Sequence, residues 1–238
     1  MGQELGMEAM FGLTKTARPD CMVSRAFDLG TGASGSDVQS DCVMGLVAGT
    51  KVATTAGWRQ VEMVKAGDKV LTFDAGLQRV AHVTREKLWS QGRCPQQMWP
   101  LFVPEGALGN QQPMMVLPQQ PLMIESDVTE EVYGDPFVLI PAAALDGYRG
   151  IERIEPEVEI EVVTLHFEHD QVIFTAPGAL YFCASQATAA DFDPEQGLNG
   201  DYNVLSIADA DYMIGCMELE QTRPAQEEEH SEAALQMA

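Results

Sequence analysis

An all-β domain, a compact fold of hairpins and meanders with short helical turns, is predicted by three features of this chain. First, Gly49 to Thr72 reads as a strand from Lys51 to Thr55, a turn at Ala56-Gly57, an alternating strand from Trp58 to Val64, a tight turn at Ala66-Gly67-Asp68, and a strand from Lys69 to Phe73. Val61, Met63, Val70 and Thr72 recur at period two, so one face is expected to be buried and the other wet. Second, the later apolar runs have strand length rather than helix length: Trp99 to Val103, Met114 to Val116, Leu122 to Ile124, Phe137 to Ile140 and Val158 to Phe167. Third, glycine and proline punctuate them, as in Pro118-Gln119-Gln120-Pro121, where two prolines set a bend.

Taken in order, residues 1–43 read as a leader and linker, because Pro19 and the glycines and serines of LGTGASGSD interrupt every periodicity. Phe27-Asp28-Leu29-Gly30-Thr31-Gly32 is similar to the first phosphate loop of actin-like ATPases. That fold needs two α/β lobes, and a β-meander follows instead, so the linker reading stands. Residues 44–185 form the β domain. Within it, Leu77 to Trp89 is expected as strand, Ser90 to Pro100 as loop, and Pro104 to Gly109 and Ala142 to Leu145 as helical turns. Glu125, Asp127, Glu130, Glu131 and Asp135 read as a solvated acidic loop, since the residue order of a calcium loop is missing. Gln171 to Thr175 is expected to pair back on Val158 to Phe167 as a hairpin through His169-Asp170. Residues 186–238 read as an acidic, largely flexible extension, with Tyr202 to Leu219 packing only weakly on the domain.

Composition narrows the partners. The chain has 238 residues, and 36 acidic against 14 basic side chains give a formal net charge of -22. Such a balance disfavours nucleic acid and anionic membrane surfaces, which are bound by clustered Lys and Arg. A protein partner is compatible with it. No apolar run reaches transmembrane length, and the start carries no Sec-type signal, so a cytoplasmic location, or secretion by a signal of another kind, is expected. Five widely spaced cysteines, Cys21, Cys42, Cys94, Cys183 and Cys216, contain no Cys-x-x-Cys pair, which argues for reduced thiols rather than a disulfide or zinc framework. His82 has no second ligand near it in sequence, and His166 with His169 at i,i+3 would lie on opposite faces of a strand. No cofactor and no metal are expected.

The meander motif resembles the opening of a Hint domain, the fold shared by inteins and the autoprocessing region of hedgehog proteins, in a version similar to its bacterial branch. Leu101 and Val103 followed by Gly106-Ala107-Leu108-Gly109-Asn110 are similar to the segment before the family's second catalytic block. Val116-Leu117-Pro118-Gln119-Gln120 resembles that block, and Val138 to Gly147 with Ile151 the strand and turn after it. The resemblance implies a nucleophilic Cys four residues before Gly-Thr, which here falls on Gly45, and a general-acid His, which falls on Gln120. A further His of many relatives falls on Asp170, next to His169. The chain therefore resembles the family without its usual chemistry.

Cys42 is a substitute nucleophile three residues before Gly45, but in an extended segment that displacement is about 10 Å, against the 3–3.5 Å of near-attack geometry. The expectation is a non-catalytic binding or scaffold module with a degenerate Hint fold. The alternative is self-cleavage near residues 42–45, with Cys42 attacking, Gln120 holding the scissile group and Thr72 or Thr164 as supporting hydrogen-bonder. A third reading, a carboxylate hydrolase built on Glu62, Asp68 or Asp74, is opposed by the turn position of Asp68, where backbone hydrogen bonding is the commoner task. Protein splicing is not expected, because Leu235-Gln236-Met237-Ala238 lacks the His-Asn ending of inteins.

Overall fold

The computed structural model describes residues 44–88, 95–176, 178–199 and 202–222, and the leader motif, Trp89, Pro177 and the residues after 222 lie outside them. The chain enters through β1 (Leu46–Val47) and then builds the expected meander. β2 (Lys51–Thr54) turns at Thr55-Ala56 into β3 (Gly57–Gln60), and β4 (Lys69–Thr72) turns into β5 (Gly76–Arg79). The strand expected to run on to Val64 instead stops at Gln60, and Val61–Met63 form a 3-10 turn. That turn rotates the side chains out of alternation, so Val61 and Val64 are buried while Met63 is 55% exposed. The strand expected from Leu77 to Trp89 is broken by buried Val80 and exposed Ala81, and β6 (His82–Leu88) starts a different sheet.

β7 (Leu101–Val103) and β8 (Met114–Val116) pair antiparallel, and a turn leads into β9 (Pro121–Glu125). The acidic segment is not a loop. Asp127–Tyr133 form α1, capped by the Ser126 hydroxyl accepting from the Val128 N–H and closed by Gly134 at φ 75°. Asp127 and Glu130 sit in its first turn, where the helix dipole favours negative charge. β10 (Phe137–Pro141), a 3-10 turn at Ala142–Leu145 and β11 (Glu152–Arg153) follow.

β12 (Ile160–His166) and β13 (Gln171–Phe174) are consecutive but do not form the expected hairpin. β12 pairs with β6 over seven residues, from Ile160 opposite Leu88 to His166 opposite His82, and with β1 on its other edge. β13 pairs with β4 and with β14 (Leu180–Cys183) in another sheet. The turn at Glu168 to Asp170 is thus a crossing between sheets, and Val158, expected within the strand, is 73% exposed because it precedes the paired region.

Residues after Ser185, expected to be largely flexible, complete the fold as far as they are described. α2 (Gln186–Asp191), β15 (Leu198–Asn199), β16 (Asn203–Val204) and α3 (Ile207–Thr222) follow in order. Their sheet runs β15-β16-β10-β9-β14-β13-β4-β2-β3, with β5 on β4, and two three-stranded sheets, β1-β12-β6 and β11-β7-β8, accompany it. Side chains of the central strands alternate between two apolar clusters: Val138, Ile140, Ile173, Tyr181 and Cys183 in the larger, Leu139, Val172 and Phe182 in the smaller. These strands are buried on both faces, which is why they read as continuous apolar runs. Phe192, Tyr202 and Val204 cover the smaller cluster, and Ala210, Met213, Ile214 and Met217 of α3 join the larger. Burying Met213, Ile214 and Met217 contributes roughly 1.5–3 kcal/mol each, so this packing is not weak. Among the described residues no helix is long and apolar enough to cross a membrane.

Candidate functional site

The pairing of β1 with β12 sets Leu46 opposite Val163 and Val47 opposite Val162, and so brings Gly45 against Thr164. The Thr164 hydroxyl donates to the Met44 carbonyl at 2.8 Å. From the other side, the Gln120 side-chain oxygen accepts the Gly45 N–H at 2.9 Å. The Met44–Gly45 peptide, at the place where the sequence resemblance puts the scissile bond, is therefore held at its oxygen and at its nitrogen by residues 120 and 75 positions away in sequence.

Gln120 is fully buried and rigid. Its backbone N–H donates to Leu117 O, and its carbonyl accepts from Ala142 N. Its side-chain nitrogen donates to Pro121 O at 2.9 Å and to Phe182 O at 2.8 Å. Two carbonyl acceptors on one side and one N–H donor on the other permit a single orientation of the carboxamide, with oxygen toward Gly45. Gln120 is thus a buried group turned toward Gly45.

The polarity of these contacts decides what they can do. A general acid must present a proton to the departing nitrogen, whereas Gln120 presents a lone pair to an intact N–H. Thr164 does donate to the carbonyl oxygen, the atom that gains charge on attack. The Gln120 contact matches the ground-state amide, and binding of the ground state alone gives no rate acceleration. Replacing Thr164 with valine removes the donor while keeping the shape, and is expected to cost about 1–2 kcal/mol, read as a melting temperature lower by roughly 2–8 °C.

Gly45 adopts φ +155°, and a Cβ built there would lie 2.6 Å from Val162 Cγ1, 2.8 Å from Thr164 Oγ1 and 3.1 Å from Val163 O. The missing side chain is thus matched by missing space. A cavity of only about 10 Å³ remains between Gly45, Gln120, Thr164 and Cys183, about the volume that a single water needs.

Cys183, which the sequence reading did not place at the site, borders that cavity. Burial pushes its thiol up to about 12, so at pH 8 only roughly one part in ten thousand is thiolate. Native protein at pH 8 is expected to leave Cys183 unalkylated by iodoacetamide, with stoichiometric modification only after denaturation; peptide mass mapping checks this.

The other predicted positions lie in different surroundings. The Thr72 hydroxyl donates to Gly76 O at 2.8 Å, closing the β4–β5 turn. Asp170 is buried and accepts from Ser185 N at 2.7 Å and from the Thr188 hydroxyl at 3.1 Å, fastening the start of α2. Neither bonds to the Met44–Gly45 peptide. Cys42 lies outside the described residues. Asp68 accepts from Lys65 N and from Arg59, Glu62 accepts from Gly49 N, and Asp74 accepts from Tyr202, so the three carboxylates of the hydrolase reading each brace a turn or loop rather than converge. His166 meets His82 across β12 and β6, with ring centroids 6.0 Å apart, and burial lowers its pKa. Among the described residues no group of three or more His, Cys, Asp or Glu is placed to hold a metal ion.

The family model described as a Hint domain matches residues 44–180. Among solved structures the chain is similar to a bacterial intein-like domain from Clostridium thermocellum, with 17% identity over 59% of this chain and 99% of that one and a TM-score of 0.43. It is also similar to a splice-inactive variant of the AceL NrdHF class 3 split intein, with 14% identity over 60% of this chain and 99% of that one and a TM-score of 0.39. For the gp41-1 intein the figures are 11% identity, 58% of this chain, 98% of that one and a TM-score of 0.34. None of the curated proteins matches the chain. The family match spans more than half of the sequence and includes Gly45, Gln120 and Thr164, and by it the chain belongs to the Hint domain family.

Proposed function

We propose that this Hint domain is a non-catalytic binding or scaffold module whose peptide-cleaving centre is closed. The observation that carries the reading is the Gly45 environment, where any Cβ would fall within 2.6 Å of Val162 Cγ1. The orientation of Gln120 supports it, since the group at the general-acid position accepts a hydrogen bond from the amide and has both of its own protons engaged by carbonyls. Loss of a nucleophile or of an acid ordinarily costs orders of magnitude in rate, and here both are replaced.

Self-cleavage near residues 42–45 is the second reading, favoured by one observation: the Met44–Gly45 peptide is gripped at both ends by Thr164 and Gln120. The two separate in one experiment. The intact mass of the full chain, held at pH 7–8 with and without thiol and hydroxylamine, is expected not to change. A fragment beginning near Val43 to Leu46, lost on Cys42→Ala, would overturn the inert reading.

A further inference from the structure

The outward face of the β2–β5 meander combines exposed apolar side chains with cations in an otherwise acidic chain. Ala53 pairs with Trp58, Leu71 pairs with Leu77, and the register of Thr54 on Val70 sets Ala53 opposite Leu71. Trp58, Ala53, Leu71 and Leu77 therefore form one row across four strands, with Trp58 55%, Leu71 38% and Leu77 46% exposed. By the same alternation Lys51 flanks the row on one side, and Lys69 and Arg79, themselves paired, flank it on the other. All three cations are exposed, and none makes an ion pair with a described residue. The acids of this stretch, Glu62, Asp68 and Asp74, are engaged elsewhere, as described above.

We propose that this face is a docking surface and that its occupant is the carboxyl-terminal segment of this same chain, residues 223–238. The segment has complementary chemistry: Glu227, Glu228, Glu229 and Glu232 against one basic residue, Arg223, followed by the apolar Ala233, Ala234, Leu235 and Met237. A block of carboxylates meets the cationic flanks while leucine and methionine cover the row of Trp58, Leu71 and Leu77. The leader lacks this pattern, since its acids, Glu4, Glu8, Asp20, Asp28, Asp37 and Asp41, are scattered and form no block of carboxylates. The segment is long enough. α3 packs on β10, four strand spacings from β4 in the sheet order, or about 19 Å laterally, and because α3 lies on the larger-cluster face with Val70 the route to the Leu71 face adds a layer spacing of about 10 Å on each side of the sheet. The 16 residues after Thr222 extend to roughly 50 Å. A second copy is the weaker occupant, because two chains of net charge -22 repel. The inference does not depend on whether the Met44–Gly45 peptide is inert.

Hydroxyl-radical footprinting of the full chain, read by mass spectrometry, tests it. Trp58, Leu71 and Leu77 are expected to be labelled at least about threefold more in the E227Q/E228Q/E229Q and L235S/M237S variants, and in 500 mM salt, than in the unaltered chain at low salt. Charge reversal on the face (K51E/K69E/R79E) is expected to unmask Leu235 and Met237, and combining it with E227K/E228K/E229K is expected to restore protection. All are surface changes, and unchanged circular dichroism confirms the fold. Equal labelling of Trp58 in every variant would overturn the proposal. So would protection that rises with protein concentration, since the occupant would then be another copy.

Discussion

Replacing Gly45 with cysteine is expected to leave the chain uncleaved and to lower its melting temperature by roughly 4–24 °C. The substitution supplies the residue type that the resemblance places here, so a position that differed only in its nucleophile would gain some activity. At Gly45 the surroundings differ as well. Its φ of +155° is reached freely by glycine, and the new Cβ would enter a space held by Val162 Cγ1, Thr164 Oγ1 and the Val163 carbonyl. Two of these obstacles belong to β12 residues tied between β1 and β6, and the third is backbone, so none can yield by swinging a flexible chain end. Strain in such a backbone and overpacking each cost about 1–3 kcal/mol. Relief would require β1 to move away from β12, which breaks the Thr164 contact to Met44 and misplaces the very carbonyl a thiol would attack. Intact mass and a thermal melt of Gly45→Cys read both halves. Cleavage with an unchanged melting temperature would show that the site had been poised for chemistry.

The second large effect is expected at Gln120. Gln120→Leu keeps most of the volume but removes one acceptor and two donors from a fully buried position, taking a hydrogen-bond partner from each of Gly45 N–H, Pro121 O and Phe182 O. Each orphaned buried group costs about 1–3 kcal/mol, and a combined loss of about 3–5 kcal/mol is expected in a denaturant melt. Gln120→Glu is a sharper probe. Its second oxygen would face two carbonyl oxygens, so the carboxyl fits only when protonated, and its folded-state pKa is expected above the unfolded value of about 4.3. A group whose folded pKa is raised contributes stability below the unfolded pKa and loses it as pH rises through the folded one. Gln120→Glu is therefore expected to approach the parent near pH 4 and to lose ground steadily toward pH 7. A Gln120→Glu chain whose stability relative to the parent does not vary with pH would mean that residue 120 does not face those carbonyls.

Both expectations depend on contacts across the fold, and they mark where sequence reading ends. Local patterning and turn glycines located β2, β3 and β4 because these are pairings over a few residues, while β5 was read as the start of one strand running to Trp89 and the period-two set failed at Met63. Of the doubly buried strands, β10 was legible as a short apolar run, Phe137 to Ile140. Pairing partners were not legible. β12 and β13 are separated by a short polar turn that suits a hairpin, yet β12 is claimed by β6 and β1 and β13 by β4 and β14. Local turn chemistry permits either outcome, and burial of both faces selects between them.

The carboxyl-terminal helix was missed although its signals were present. Ala210, Met213, Ile214 and Met217 recur at i, i+3, i+4 and i+7. Ser206, whose hydroxyl accepts from Asp209 N, opens the helix as a capping box does. The interspersed acids and the Asp-rich stretch before them masked the stripe, because composition averages over a face that only a helix separates. α1 was missed in the same way, its acids reading as a loop although Ser126 caps it and Gly134 ends it.

The amino-acid order by itself determined that this is a β-rich Hint domain, and that Gly45 and Gln120 stand where the resemblance would put a thiol and an imidazole, since those are statements about residue identity along one line. Only the tertiary structure decided what surrounds these two residues. It takes β12, crossing 120 positions of sequence, to place Thr164 on the Met44 carbonyl, and the bend at Pro118 to Pro121 to turn the Gln120 oxygen toward Gly45. Whether a glycine is an empty place or a filled one depends on which atoms of distant strands stand beside it, and here Val162 and Thr164 fill it.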